Sequence, residues 1–354
     1  MKIVVFCPNW VGDLLMATPA MRAVRERYDS ARITAILRPP LGDVLAGTGL
    51  VDEVVAHRPK GTVAAERGLG LWKRLRAERF DLAILFPNSL RSAWWAWSIG
   101  AKRRVGTNRD GRGWLLTDRV TPGAKSIPAP VIREYGRIVE TLGCDVTGRS
   151  MEAVVTPEDR GRFEAYCRRA GLSQESQRGY VCLNTGGAFG PAKNWPVESF
   201  AKLARRVRSE LGREVLVVCG PAERENARAI VAAANCEAVR SLAEEPPSLG
   251  LTKAAIAGAG VLVTTDSGPR HFAAAFGVPV VTLFGPTHIA WSETNYARAA
   301  HVQMPVECGP CQKRVCPLGH HKCLRDLSPE TVFGAVERML TANWSDECSR
   351  SVAA

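Results

Sequence analysis

Two rhythms alternate along this chain: short unbroken apolar runs, and longer stretches where apolar residues return at helical spacing. Residues 2–8 form the first apolar run, and residues 20–28 carry Met21, Val24 and Tyr28 on one helical face. Residues 33–37, 51–55 and 82–86 read as further strands, the last of them buried. Such runs separated by helices predict a parallel sheet covered on both faces. Polar, turn-prone residues fill 171–179, after which the pattern restarts with a strand over 180–184 and a helix over 199–211. That helix sets Phe200, Leu203, Ala204, Val207 and Leu211 on one side. Strands over 214–218, 261–264 and 278–284 follow, and a helix over 329–340 closes the pattern. The predicted fold class is α/β: two doubly wound Rossmann-like domains, 1–170 and 171–354, joined near residues 165–179.

Composition narrows the class without changing this picture. A chain of 354 residues can bury two cores. Its 32 glycines and 22 prolines are dispersed as punctuation, so disorder is expected only at the end, over 349–354. The net charge of +12 favours phosphate-bearing partners, whether nucleotides, nucleic acids or anionic lipid headgroups, and does not choose among them. No apolar stretch at the N-terminus has signal-peptide length with a cleavage site after it. The longest uncharged segment, between Arg270 and Glu293, is interrupted by Gly277, Pro279, Gly285 and Pro286, which excludes a membrane span there. A cytoplasmic protein is expected, with peripheral contact at a membrane surface open to it.

In open α/β sheets, ligands bind beyond the carboxyl ends of the strands, and four loops at such positions carry candidate chemistry. The first, after the opening strand, is Asn9-Trp10-Val11-Gly12-Asp13. Asp13 suits a helix cap as well as a catalytic base. The second runs from Asn184 through Thr185, Gly186 and Gly187 to Lys193 and Trp195. Glycines with hydroxyl and lysine donors after a strand can cradle a phosphate, and Lys193 would bring charge to a diphosphate. The third contains Glu223, a carboxylate placed to accept from ribose hydroxyls or to sit solvated in a helix's first turn. The fourth is Asp266-Ser267-Gly268-Pro269-Arg270-His271. Pro269 fits a first helical turn, Asp266 or Ser267 fits the cap, and His271 fits a structural histidine. The chain has no G-x-G-x-x-G after a strand, no Walker-type loop and no Asp-x-Asp triplet.

Taken together, these segments resemble the lipopolysaccharide heptosyltransferases, glycosyltransferase family 9, and among them the type II enzymes. The resemblance rests on NWVGDLLMATP from Asn9, GPAKNWP from Gly190, TDSG from Thr265, AAAFGVPVVTLFGPT from Ala273, and the segment from Cys308 through Asp326. It spans nearly the whole chain. It implies a GT-B fold, with the two Rossmann-like domains facing across a cleft, the first for the acceptor and the second for the nucleotide sugar. It also implies inverting transfer of L-glycero-D-manno-heptose from ADP-heptose to a lipid A-core glycolipid acceptor, in lipopolysaccharide biosynthesis at the cytoplasmic face of the inner membrane. By the same resemblance Asp13 is the catalytic base and Lys193 the donor-phosphate ligand, with Thr185 and Gly187 beside it. Asp266 would hold the donor heptose hydroxyls, and Ser267 and Gly268 would lie near the diphosphate. Glu223 and His271 complete the donor set. The family pattern departs at Pro269-Arg270, where apolar or small residues are expected.

The acceptor side is assigned to Asn9, Trp10, Arg103 and Arg104. The last two belong to a basic-aromatic stretch with Arg91, Trp94, Trp95, Trp97 and Lys102, which suits a membrane interface or phosphorylated glycolipid as well as an inward-packed helix. No cofactor is expected for catalysis. Of eleven cysteines, Cys7, Cys182 and Cys219 sit in apolar runs as small core residues. Cys308, Cys311, Cys316 and Cys323, spaced C-x2-C-x4-C-x6-C, suit a structural zinc, with an iron–sulfur cluster, free thiols and disulfides as other readings. Two alternatives to a heptosyltransferase remain open: another enzyme of the same fold, such as an epimerase or a transferase using a different nucleotide sugar, and a basic nucleic-acid-binding protein. The dispersed charge and lack of a recognised module weigh against nucleic acid.

Overall fold

The computed structural model describes residues 1–124, 127–172, 179–187 and 189–342. The expected joint at 165–179 lies partly outside them, and the expected loose end at 349–354 wholly outside. The chain divides into two compact units, Met1–Val154 and Val155–Ala354.

The first unit is a six-stranded parallel sheet in the order β3-β2-β1-β4-β5-β6. Its strands are β1 (Lys2–Phe6), β2 (Arg32–Leu37), β3 (Glu53–Ala56), β4 (Leu82–Leu85), β5 (Arg103–Thr107) and β6 (Asp118–Val120). Covering helices are α1 (Val11–Arg27), α2 (Gly68–Glu78), α3 (Leu90–Ser98) and α4 (Val131–Glu140). Residues of β1 and β4 are buried on both faces, which is why these strands read as unbroken apolar runs.

Helix α1 starts well before residue 20, where the sequence pattern first shows a helical face. It runs through Pro19, whose ring cannot donate to the Leu15 carbonyl. The Thr18 hydroxyl supplies that missing donor, 2.7 Å from Leu15 O. Residues 14–21 are buried all round, so packing on the sheet outweighs the proline and hides the usual one-sided periodicity.

The second unit repeats the plan. Its sheet, β12-β11-β10-β7-β8-β9, is also parallel throughout. The strands are β7 (Val181–Asn184), β8 (Val215–Val218), β9 (Val239–Ser241), β10 (Val261–Thr265), β11 (Val280–Phe284) and β12 (Ala299–Gln303). Helices α5 (Pro157–Ala170), α6 (Val197–Leu211), α7 (Arg224–Ala234), α8 (Leu249–Ala257), α9 (Pro269–Ala275) and α10 (Pro329–Thr341) surround it. The division falls ahead of residue 171 because α5 packs against α8. Lys253, fully buried, reaches Asp159 at 3.0 Å, and the Tyr166 hydroxyl donates to Ser241 O at 3.1 Å. Among the described residues no helix is long and apolar enough to cross a membrane.

In each sheet the strand order reverses between the first strand and the fourth: β1 beside β4, and β7 beside β10. Loops leaving these pairs diverge to opposite faces and open a crevice at their carboxyl ends, the usual ligand position in doubly wound sheets.

Candidate active site

At the reversal point of the second unit, β7 and β10 pair with Asn184 beside Thr264. The Asn184 amide donates to Gly186 O at 2.9 Å, Thr264 Oγ1 at 3.0 Å and Ser267 Oγ at 2.9 Å. One side chain thereby ties the two loops together. Gly187 is required by this approach, since a Cβ there would lie 2.7 Å from Ser267 Cβ.

The same loops bring Lys193 and Asp266 together, 73 residues apart in sequence. Lys193 Nζ donates to Asp266 Oδ2 at 2.7 Å and to its backbone carbonyl at 2.8 Å, and lies 4.4 Å from the Phe189 ring centroid. The Asp266 carboxylate also accepts from Thr287 Oγ1 at 2.7 Å and Ser292 Oγ at 2.9 Å. Burial opposes its charge, but Lys193, Arg270 and the Thr287 hydroxyl outweigh that and hold its pKa down to about 2. Neither Asp266 nor Ser267 caps α9: the cap position is Gly268, with no side-chain cap bond.

Arg270, where the chain departs from the family pattern, is buried behind Asp266. It donates to Ser292 O at 2.7 Å, pairs with His301 Nε2 at 2.9 Å, and stands 3.9 Å from Asp266 Oδ1. It thus serves as a second cation behind the acid and braces the loop that carries Ser292. His271 lies in the interior. Burial, then Arg270, push its pKa down to about 3, so it is a neutral core imidazole and not a charge offered to a diphosphate.

Thr185 is buried, and its hydroxyl has no hydrogen-bond partner among the described residues. An unpaired buried hydroxyl is costly, and its place beside Gly186 and Gly187 makes it a ready donor for a ligand oxygen. Glu223 leans toward the same loop: a Cβ on Gly186 would meet its Cγ at 3.4 Å.

In the first unit, Asp13 sits in the first turn of α1. The cap position is Trp10, which makes no side-chain cap bond, so Asp13 is not the cap. It lies near enough to Tyr135 to raise the phenol's pKa, after burial, which is the larger cause. Asn9 lines a cavity of about 440 Å³ at the reversal point of this sheet, and Trp10 stands exposed beside it.

Arg103 and Arg104 are not brought to that cavity. Arg103 pairs with Leu82, which pairs with Ile3, and this is the amino end of the sheet. There Arg103 binds Asp118 at 2.7 Å, and Arg104 donates to Leu115 O at 2.7 Å and Ala101 O at 2.6 Å. Both are engaged within the fold, at the end of the sheet away from the ligand loops. Cys308, Cys311, Cys316 and Cys323 do converge, lining a cavity of about 20 Å³ with His320 and His321. All four are free thiols. Among the described residues no three His, Cys, Asp or Glu side chains form a ready metal cage.

Thr287, Ser292 and Arg270 as partners of Asp266 escape the sequence reading, since nothing in their spacing marks them. Arg38 and His57, which line the cavity of the first unit, escape it too, because each follows a strand singly.

The chain is similar to known proteins over nearly its full length. Residues 69–322 match the family model described as glycosyltransferase family 9 (heptosyltransferase). Lipopolysaccharide heptosyltransferase 2 of Escherichia coli is 30% identical over 349 residues, covering 96% of this chain and 99% of that protein. Lipooligosaccharide heptosyltransferase 2 of Haemophilus influenzae is 27% identical, covering 96% and 99%. The solved structure of E. coli ADP-heptose LPS heptosyltransferase II superposes with a TM-score of 0.79 at 26% identity, covering 96% of this chain and 98% of that one.

Proposed function

This chain belongs to glycosyltransferase family 9 (heptosyltransferase), and on that premise we propose that it moves L-glycero-D-manno-heptose from ADP-heptose to the inner core of a lipopolysaccharide precursor. The observation that carries this reading is the buried Lys193–Asp266 pair at the reversal point of the second sheet, with the unpartnered Thr185 hydroxyl beside it.

The acceptor hydroxyl oxygen bonds to the anomeric carbon as the carbon–oxygen bond to ADP breaks, and the configuration inverts. The electron pair leaves with the diphosphate, and the hydroxyl proton passes to the Asp13 carboxylate. A carboxylate is a weak base, so much of the acceleration comes from positioning and from stabilising the leaving group. Lys193, Thr185 and the loop amides around Gly187, Ser267 and Gly268 do the second. Asp266, held rigid by Thr287, Ser292 and Arg270, receives heptose hydroxyls, and Glu223 faces the ribose. Asn9 and Trp10 contact the acceptor. A lysine and backbone amides supply here the positive field that a divalent ion would otherwise bring.

At the cysteine segment we propose a structural zinc, remote from the reaction. Four thiols around one small cavity are the donor chemistry zinc prefers. One zinc per chain in protein purified without chelators is expected; none would end this reading. Trp94 and Trp97, exposed one helical turn apart on α3, support peripheral contact with an anionic membrane at the cytoplasmic face, which flotation with acidic vesicles tests.

The function itself is tested by ADP release from ADP-heptose with and without a heptosylated lipid A acceptor. Acceptor-dependent release is expected. Equal release from other nucleotide sugars, or none at all, would overturn the assignment.

A further inference from the structure

Between Cys311 and Cys316 the chain bridges the two loops that carry Lys193 and Thr287. The Gln312 backbone N–H donates to Pro286 O at 2.7 Å, one residue before Thr287, whose hydroxyl holds Asp266. Two residues on, Arg314 O accepts from Ala192 N at 3.1 Å, one residue before Lys193. This approach demands a glycine: Gly190 has a φ of +148°, and a Cβ there would meet Arg314 O at 2.6 Å. The cavity lined by the cysteines has Ala192 and Pro286 in its wall as well. The segment is thus pinned to both loops by its backbone, and the pinning sets where the Arg314 side chain starts.

That side chain lies at the donor loop. Its guanidinium carbon is 5.6 Å from the Phe189 ring centroid, and Lys193 Nζ is 4.4 Å from the same centroid. One aromatic ring therefore gathers two cations, but they differ in what they can offer a ligand. Lys193 is buried, and its charge is answered by Asp266 at 2.7 Å. Arg270, the other cation near Asp266, is buried and turned to Ser292 O and His301. Arg314 is exposed, and among the described residues it makes no ion pair or side-chain hydrogen bond. A diphosphate arriving beside Lys193 brings more negative charge than a Lys–Asp pair, neutral in sum, can answer. A planar guanidinium with its donors uncommitted suits the phosphate oxygens.

We infer that Arg314 is a donor-binding residue, delivered by the cysteine segment to the diphosphate of the nucleotide sugar. This rests on the reading of the second unit's crevice as the donor site. As the bond from sugar to diphosphate breaks, the electron pair stays on the phosphate oxygen, and the guanidinium meets that growing charge without having to give up another partner.

The test is calorimetric titration of the full chain with ADP and with adenosine, using wild type, Arg314→Met, Arg314→Lys and, as a surface-charge control on the same segment, Arg325→Ala. Arg314→Met should weaken ADP roughly tenfold, as loss of one charge-assisted contact does, and leave adenosine affinity and the urea midpoint at the wild-type level. Arg314→Lys should recover part of the loss, and Arg325→Ala should bind ADP as wild type does. Unchanged ADP affinity in Arg314→Met, an equal loss for adenosine, or an equal loss in Arg325→Ala would overturn the assignment. So would Arg314→Lys binding ADP no better than Arg314→Met. In turnover, Arg314→Met should raise donor KM and leave acceptor KM unchanged. If ADP binding depends on Arg314 but ADP-heptose is never turned over with any acceptor, the transferase reading fails while the phosphate contact stands. If ADP-heptose is turned over and donor KM is the same in Arg314→Met, the contact fails and the transferase reading stands.

Discussion

Both sheets reverse their strand order at the same relative place, yet the two crevices are built on opposite terms. In the second unit the crevice is furnished with paired groups: Lys193 holds Asp266, Thr287 and Ser292 hold its other oxygens, and Asn184 knots the loops. In the first unit the crevice is a cavity lined by Arg38 and Arg91, which make no ion pair among the described residues. A charge network that is satisfied before a ligand arrives costs little to reorganise at the moment of reaction, which is what leaving-group stabilisation requires. Two exposed arginines at the mouth of a cavity make its field positive without fixing a geometry in advance. The difference teaches that one fold, used twice, is furnished with different chemistry by changing only the loops at the strand ends.

The largest effect expected from breaking this division is at Asp13. Asp13→Ala should lower turnover roughly 10²–10⁴-fold, the range for removing a general base, while ADP affinity stays near wild type. Rapid-quench turnover and calorimetry with ADP measure the two sides separately. If ADP binding falls with activity, Asp13 supports the fold and the separation of roles fails.

Lys193 tests the crevice of the second unit, where stability and activity are joined. Lys193→Met should cut turnover about 10²–10³-fold, as loss of one transition-state charge contact does. It also leaves Asp266 buried without its main cation, at a cost of about 3–5 kcal/mol. Adding Asp266→Asn should restore most of the stability and none of the activity. Urea unfolding of the three variants checks this; a stable single variant would mean that Arg270 alone suffices for Asp266.

Much of the fold was legible because the central strands are buried on both faces. Residues of β4, β7, β8 and β10 are apolar or buried throughout, and their runs stand out in the sequence. Several outer strands were not legible: β5 opens with Arg103 and Arg104, β6 opens with Asp118 and Arg119, and β12 is only half-buried along its length. Their identity depends on pairing with neighbours, which is a long-range property. The start of α1 was hidden by Pro19, whose cost is offset by Thr18 and by burial. At the site, residue types after strands pointed to Asp13, Lys193 and Asp266, because strand ends are where ligands meet α/β sheets. Which groups pair with which was not visible, since Lys193 and Asp266 meet across 73 positions. The place of Arg103 and Arg104 at the amino end of the sheet was not visible, because sequence proximity to tryptophans says nothing about which end of a sheet a strand residue occupies.

A smaller effect distinguishes the crevices by pH. His271 is buried neutral, with its pKa depressed from the ordinary 6.5 to about 3. The unfolded chain therefore takes up a proton below about pH 6.5 that the folded chain refuses. Stability of the second unit should fall as pH drops through that window, with a slope of at most about 1.4 kcal/mol per unit from this group. Below about pH 4 the depressed Asp266 carboxylate adds to the loss, which is complete only near its folded value of about 2. Urea midpoints between pH 8 and 5, with and without His271→Asn, read the slope; an unchanged slope in the variant would remove His271 as its source.

The smallest effect expected is at Arg103, and it bears on the comparison most directly. Arg103 and Arg91 are both arginines of the first unit near tryptophans, but one lies at the amino end of the sheet and the other at the crevice. Arg103→Ala removes an exposed pair with Asp118, a loss of about 1 kcal/mol or less, and should leave acceptor KM unchanged. Arg91→Ala, with no ion pair to lose, should leave stability unchanged and raise acceptor KM. The two variants therefore exchange their effects between a denaturation curve and a saturation curve. Equal rises in KM would mean that net positive charge recruits the acceptor, and the crevice would lose its claim to select it.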